Sequence, residues 1–173
     1  MTIPRFYVPG PWTSDRITFP EKASHHAMRV LRMRNGDEAE VFDGEGRTAR
    51  GRTEFSSEGT VLIAESYPEH GRESPLFITL AQAFVSPDNM EWITEKAVEA
   101  GASRIVFFPA ARSVTKLSGD KLTKRLEKLR ATAVSACEQC GRSRIPEIEA
   151  FSSAEAMLSG LNADARVILA PSS

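Results

Sequence analysis

The chain has 173 residues, 41% of them hydrophobic, and a formal net charge of −1. That balance suits an ordinary buried core and excludes a disordered class, and it excludes an overall basic field, so a nucleic-acid partner must be held by local clusters. MTIPRFYVPG is no signal peptide, no apolar stretch reaches the roughly 20 residues of a membrane span, and two cysteines make no disulfide framework, so a cytoplasmic protein without a membrane partner is expected.

The first seventy or so residues are cut into short β-like runs: RFYV at 5–8, EAEVFD at 38–43, RTARGRTEF at 47–55 and GTVLIAESY at 59–67. Asp43-Gly44-Glu45-Gly46 is a hairpin signature, because glycine takes up positive φ without a Cβ penalty. These features predict a small antiparallel barrel. One helix interrupts it over 21–33, with Ala23, Ala27, Val30 and Leu31 as its apolar stripe and His25, Arg29 and Arg32 on another face.

PEHGRESP at 68–75 reads as a linker, and beyond it the period changes. LFITLAQAFV at 76–85 is almost continuously apolar, as in a strand covered on both faces. Ser86-Pro87-Asp88 opens a helix that Gly101 closes, and RIVFFP at 104–109 is the next strand. Helices follow at about 120–140 and 152–159, and RVILAP at 166–171 is expected as a third strand. The alternation predicts an α/β unit, a parallel sheet with crossover helices, giving an expected division into a β-barrel over 1–70 and an α/β domain over 71–173. In such sheets ligands bind beyond the carboxyl ends of the strands. A sheet this small, whose last strand runs straight into the end of the chain, is expected to be part of a longer protein.

The stretch ACEQCGRSRIPE at 136–147 holds Cys137 and Cys140, the only cysteines. Leu122, Leu126, Leu129, Ala133, Cys137 and Cys140 step by 4, 3, 4, 4 and 3, which makes both sulfurs the end of a buried helical stripe. A redox pair belongs at a helix N-terminus and a zinc site needs further Cys or His ligands, whereas all three histidines lie in the first half, so no metal is expected. Residues 120–144 carry seven basic and three acidic side chains, with Lys121, Lys124, Arg125, Lys128 and Gln139 opposite the leucines. That face suits solvent as well as a polyanion. Arg142 and Arg144 follow Gly141, where a guanidinium fork can meet phosphate or base, and Arg112 with Ser113 follows the strand at 104–109. His25, Arg29, Arg32, Arg5 and Arg34 could likewise track a phosphate backbone or only face water. Spacing alone leaves those alternatives open.

PRFYV, then HHAMRVLRMRNGDEAEVFDGEG, then DNMEWITEKAVEAGASRIVFFPAARSV, then ACEQCGRSRIPE, in that order and spacing along essentially the whole chain, resembles the RsmE-type ribosomal RNA methyltransferases of the SPOUT superfamily. The resemblance implies a PUA-like barrel joined to a SPOUT-type α/β domain with a C-terminal trefoil knot, usually acting as a homodimer. It also implies S-adenosylmethionine-dependent methylation of N3 of a uridine in small-subunit ribosomal RNA. The family's Glu-Leu-Gly reads Glu99-Ala100-Gly101 here, and its Gly-Pro-Glu-Gly-Gly knot segment after the strand at 166–171 is not in this sequence. The resemblance therefore implies a chain lacking its main cofactor loops, an inactive fragment of a methyltransferase. Carried over to this sequence, it puts Arg112 and Arg142 forward to orient the uracil or its phosphate, Glu138 as base or arginine orienter, and Arg5, His25, Arg29, Arg32 and Gln139 on the RNA. Two rivals remain: a non-catalytic RNA-binding protein using the barrel, and a thiol or zinc module centred on the cysteines.

Overall fold

A computed structural model describes residues 3–68, 73–111 and 117–169. The N-terminal runs form β1 (Arg5–Tyr7), β2 (Arg16–Thr18), β3 (Glu38–Phe42), β4 (Thr48–Ser56) and β5 (Gly59–Ser66), a sheet of order β1-β3-β4-β5-β2. β1 runs parallel to β3 and the other pairs are antiparallel, with β1 and β2 at the two edges. Alternation buries Phe6, Ile17, Ala39, Val41, Ala49 and Leu62 in one cluster with Phe19 and Ala27. At Gly51, where the β4–β5 register shifts, an added Cβ would sit 1.8 Å from the Ile63 carbonyl oxygen, so the backbones meet only because the side chain is absent. β2 has too few residues to show a period, and no expectation covered it.

The expected helix over 21–33 is shorter and irregular. Glu21–His25 (α1) is α-helical, and His26–Val30 continues it as a π-helix, Leu31 N–H donating to the His26 carbonyl at 3.0 Å. The widened turn rotates the residues that follow it. Ala27 stays buried, whereas Val30 and Leu31, expected in the apolar stripe, face solvent.

The second sheet is parallel, in the order β6 (Thr79–Ala83), β7 (Arg104–Phe108), β8 (Glu147–Ala150). Helices α2 (Pro87–Glu99) and α3 (Gly119–Cys140) are the crossovers, and α4 (Ala154–Gly160) follows β8. Ile105 and Phe107 of β7 join Met90, Val98, Leu129, Ala133 and Cys137 in one core. The cysteine stripe is therefore the core face of α3. Pro87 opens α2 as expected, but the Ser86 side chain makes no capping bond. Gly101 at φ 91° ends it.

Two strand expectations are corrected. Residues 166–169 of RVILAP form no strand: no described strand pairs with them, and Val167, Ile168 and Leu169 are 85–92% exposed. The rest of that run lies outside the described residues. The third strand is β8, whose EIEA buries only Ile148, and whose remaining sequence resembles a charged turn. β6 is an edge strand, half-buried rather than covered on both faces, with Leu76, Phe77 and Ile78 exposed ahead of it.

Candidate nucleic-acid interface

Three of the expected RNA-facing residues share one surface. His25, Arg29 and Arg32 are exposed along the α1 and π-helical segment, interleaved with exposed Met28, Val30 and Leu31. His26 packs edge-on against Phe6, 6.1 Å between ring centroids, which ties the segment to the sheet beneath. Arg32 has φ 54°, a left-handed conformation that costs a side-chain-bearing residue about 1–2 kcal/mol. A π-turn followed by a strained arginine is the kind of local cost that a binding surface retains. Beyond it, the Arg34 N–H donates to Asp37 Oδ2 at 2.7 Å and the Phe55 N–H to Asn35 Oδ1 at 2.7 Å, holding the loop on β4.

Arg5, Glu138 and Arg142 are elsewhere, at the junction of the two sheets, and they face inward. Arg5 pairs with buried Glu40 at 2.5 Å, Glu40 also meets Arg50 at 3.2 Å, and the three stand in register across β1, β3 and β4. The same Arg5 guanidinium donates to the carbonyls of Cys137 and Arg142, at 2.9 and 3.2 Å, and to Ser143 Oγ at 3.3 Å. Glu138 Oε1 accepts the Tyr7 N–H at 3.0 Å. Arg142, 5% exposed, donates to the carbonyls of Val98 and Ala102, at 3.1 and 2.7 Å, and twice to Glu73 Oε2, at 3.1 and 2.8 Å.

Glu73 is the centre of this junction. Its Oε1 accepts the Ser143 and Arg144 N–H groups at 2.8 and 2.9 Å. Burial alone would push its carboxyl up, but the Arg142 guanidinium and those two amides together hold it below its ordinary value. The hairpin tip completes the joint: Ile145 N–H donates to the Gly44 carbonyl at 3.0 Å and Gly46 N–H to the Ser143 carbonyl at 3.1 Å. Gly44, at φ 86°, leaves no room for a Cβ beside Ile145. Phe42 lies in the same apolar core as α2, α3 and β7, so the core itself crosses the junction.

The remaining expected positions scatter. Gln139 is exposed in a groove between α2 and α3, lined also by Lys96, Lys128 and Ser135. Arg125, expected on the exposed lysine face, instead donates to Glu91 of α2 at 2.8 Å. Arg112 and Ser113 lie outside the described residues. Burial pushes the Cys137 thiol up to about 12, with the Cys140 thiol adding to the rise, so no thiolate forms there near neutral pH. No cluster of metal-ligating side chains is found among the described residues.

A sequence profile described as an RNA methyltransferase domain matches residues 72–173, more than half of the chain. The chain belongs to the RNA methyltransferase family. A second profile, an RNA methyltransferase PUA domain, matches residues 19–64, the stretch that contains the basic helical segment. Among relatives, the ribosomal RNA small subunit methyltransferase E of Bacillus subtilis is 33% identical over 126 residues, covering 72% of this chain and 49% of the relative. Its namesake in Mycobacterium bovis is 35% identical over 128 residues, covering 72% and 47%. The chain thus spans about half the length of the curated relatives it matches. A Legionella pneumophila protein described as a methyltransferase, solved with bound SAM, superposes with a TM-score of 0.91 at 28% identity, covering 99% of this chain and 72% of that one. The Neisseria gonorrhoeae ribosomal RNA small subunit methyltransferase E bound to S-adenosyl methionine gives 0.76 at 30% identity, covering 86% and 63%.

Within this family frame, the EQ-x-GR stretch is a joint between the two sheets. Reading the sequence missed Glu73 because it sits in a stretch with the composition of a linker, and Glu40 because an alternating strand hides a buried acid. The signal that was available is arithmetic: Arg5 and Arg142 each need several acceptors, and only a fold that brings distant carbonyls and acids together can supply them.

Proposed function

We propose that this chain is the RNA-positioning part, and one wall of the transfer site, of an S-adenosylmethionine-dependent methyltransferase acting on N3 of a uridine in small-subunit ribosomal RNA. The observation that carries the reading is the pair of family matches, to the RNA methyltransferase domain over 72–173 and to its PUA domain over 19–64. The names and bound cofactor of the relatives supply the substrate class.

S-adenosylmethionine presents a carboxylate, an ammonium and an adenine, each needing a partner. Beyond the carboxyl ends of β6 and β7 the described residues offer Ser86, Asp88 and Asn89, all exposed, and the first turn of α2 without a side-chain cap. Two open clefts lie elsewhere, one at the amino ends of the strands around Phe77, Ser103 and Glu147 and the other between α2 and α3. Ser86, Asp88 and Asn89 do not by themselves supply a partner for each of the cofactor's groups.

Uracil N3 must lose its proton before it can accept a methyl group, and the resulting anion spreads onto the flanking carbonyl oxygens. An arginine beyond a strand end can hold that charge, and Arg112 is our choice for it. Glu138 and Arg142 act as positioning residues: Glu138 holds β1 through the Tyr7 N–H, while Arg142 and Glu73 fix the 142–144 turn whose backbone and Ser143 side chain meet Arg5 and Gly46 of the first sheet, and so set where His25, Arg29 and Arg32 stand relative to the transfer site. The test is transfer of labelled methyl from S-adenosylmethionine to small-subunit ribosomal RNA by the protein that carries this chain, with the product nucleoside identified by mass spectrometry. N3-methyluridine is the expected product; a methyl group on any other atom, or none, overturns the reading.

A further inference from the structure

A second aromatic and cationic surface lies at one end of the first sheet, apart from the helical segment. Trp12 packs its ring against the cluster around Phe6 and donates its indole N–H to the Val8 carbonyl at 3.1 Å, which sets the ring's orientation. The Arg47 guanidinium lies over that ring, 5.4 Å from its centroid. Arg47 is exposed, and its backbone is held by the hairpin turn, its N–H donating to Asp43 Oδ1 at 3.0 Å. Tyr67, 48% exposed, is oriented by donating its hydroxyl to Asp15 Oδ1 at 2.6 Å. Two links bring these residues to one place: Thr48 Oγ1 donates to the Pro68 carbonyl, and Ala64 N–H donates to the Asp15 carbonyl at 2.8 Å. The nearby acids are occupied, Asp15 by the Tyr67 hydroxyl and Asp43 by the Glu45 and Arg47 amides.

Two aromatic rings held by their polar atoms, with a guanidinium stacked on one, make a surface suited to unpaired bases. Bases stack on aromatic and guanidinium faces whatever their sequence, and the arginine's charge answers the adjoining phosphates. One cation beside two carboxylates gives little net attraction to any polyanion, so the ring faces decide, and they favour unpaired bases over an acidic protein segment.

We propose that Trp12, Arg47 and Tyr67 form a stacking platform for a single-stranded RNA segment, supplementing the basic surface of His25, Arg29 and Arg32. This rests on the RNA-methyltransferase reading above.

The chain has two tryptophans, Trp12 and Trp92, so Trp92→Phe leaves Trp12 as the only indole reporter. The probe is a fluorescein-labelled decauridylate, with an abasic oligomer of equal length as control. In Trp92→Phe, Trp12 emission is expected to be quenched by unlabelled decauridylate over the same concentration range that raises the anisotropy of the labelled probe. Trp12→Ala and Tyr67→Ala are each expected to weaken binding by about tenfold, and to remove the preference over the abasic oligomer. Trp12→Phe, which keeps a ring, is expected to bind within about threefold of the parent. Should a truncated variant fail to fold, the quenching decides. Binding by anisotropy without quenching of Trp12 would overturn the platform while leaving the RNA reading intact. No binding of either oligomer by the unaltered chain would overturn both.

Discussion

Replacing Arg142 by alanine separates a structural from an RNA-contacting role. The side chain is 6% exposed, and its fork satisfies Glu73 twice and two carbonyls, those of Val98 and Ala102. Its removal leaves the Glu73 carboxylate with only the Ser143 and Arg144 amides and takes a charged donor from two carbonyl oxygens, of which that of Val98 still accepts the Gly101 N–H. Breaking a buried pair costs about 3–5 kcal/mol, and for a chain of this size each kcal/mol lowers Tm by about 2–4 °C, so a drop of roughly 6–20 °C is expected. Arg142→Lys keeps the charge but cannot reach all three partners, and should fall between the two. The assay is urea and thermal unfolding across pH. Glu73 is held below its ordinary value of 4.5, so its contribution is fully present above about pH 4.5 and is lost as pH falls through the lower folded value. Arg142→Ala should flatten that acid limb. A stability change under about 1 kcal/mol, the size found for exposed pairs, would refute the assignment of Arg142 to the junction.

Glu138→Ala should cost about 1–3 kcal/mol by leaving the Tyr7 N–H without its acceptor, whereas Glu138→Gln retains an acceptor and should unfold near the wild-type midpoint in urea. Arg32→Gly should relieve the left-handed strain and raise stability by about 1 kcal/mol, while weakening RNA binding in a filter or anisotropy assay. At pH 8, Cys137 should resist alkylation until urea unfolds the chain, because its thiol titrates only near 12; peptide mapping after pulse labelling reads this directly.

Elements whose pattern is local were legible in the sequence. The alternation in TARGRTEFS, the Asp43–Gly46 turn and the leucine–cysteine stripe of α3 each carry their own period, and each appears where the spacing puts it. β2 and β8 were not legible, because three or four residues hold too little period to stand out from a loop. The run at 166–169 has strand composition, but a strand also needs a neighbour to complete its hydrogen bonds, and composition says nothing about that. The site divided along the same line. His25, Arg29 and Arg32 share one short segment, so their common exposure is a local property. The inward turn of Arg5, Glu138 and Arg142 depends on Glu40, Tyr7 and Glu73, which lie 35, 131 and 69 residues away from their respective partners.

RNA is proposed to lie along the segment from His25 to Arg32. The most direct measurement is the slope of log K against log salt for a single-stranded RNA 20-mer, in the wild-type chain and in the Arg29→Ala/Arg32→Ala double variant. Each phosphate contact contributes roughly 0.7 to the slope on a single strand, so the double variant should be shallower by about 1.4. An unchanged slope would contradict the account.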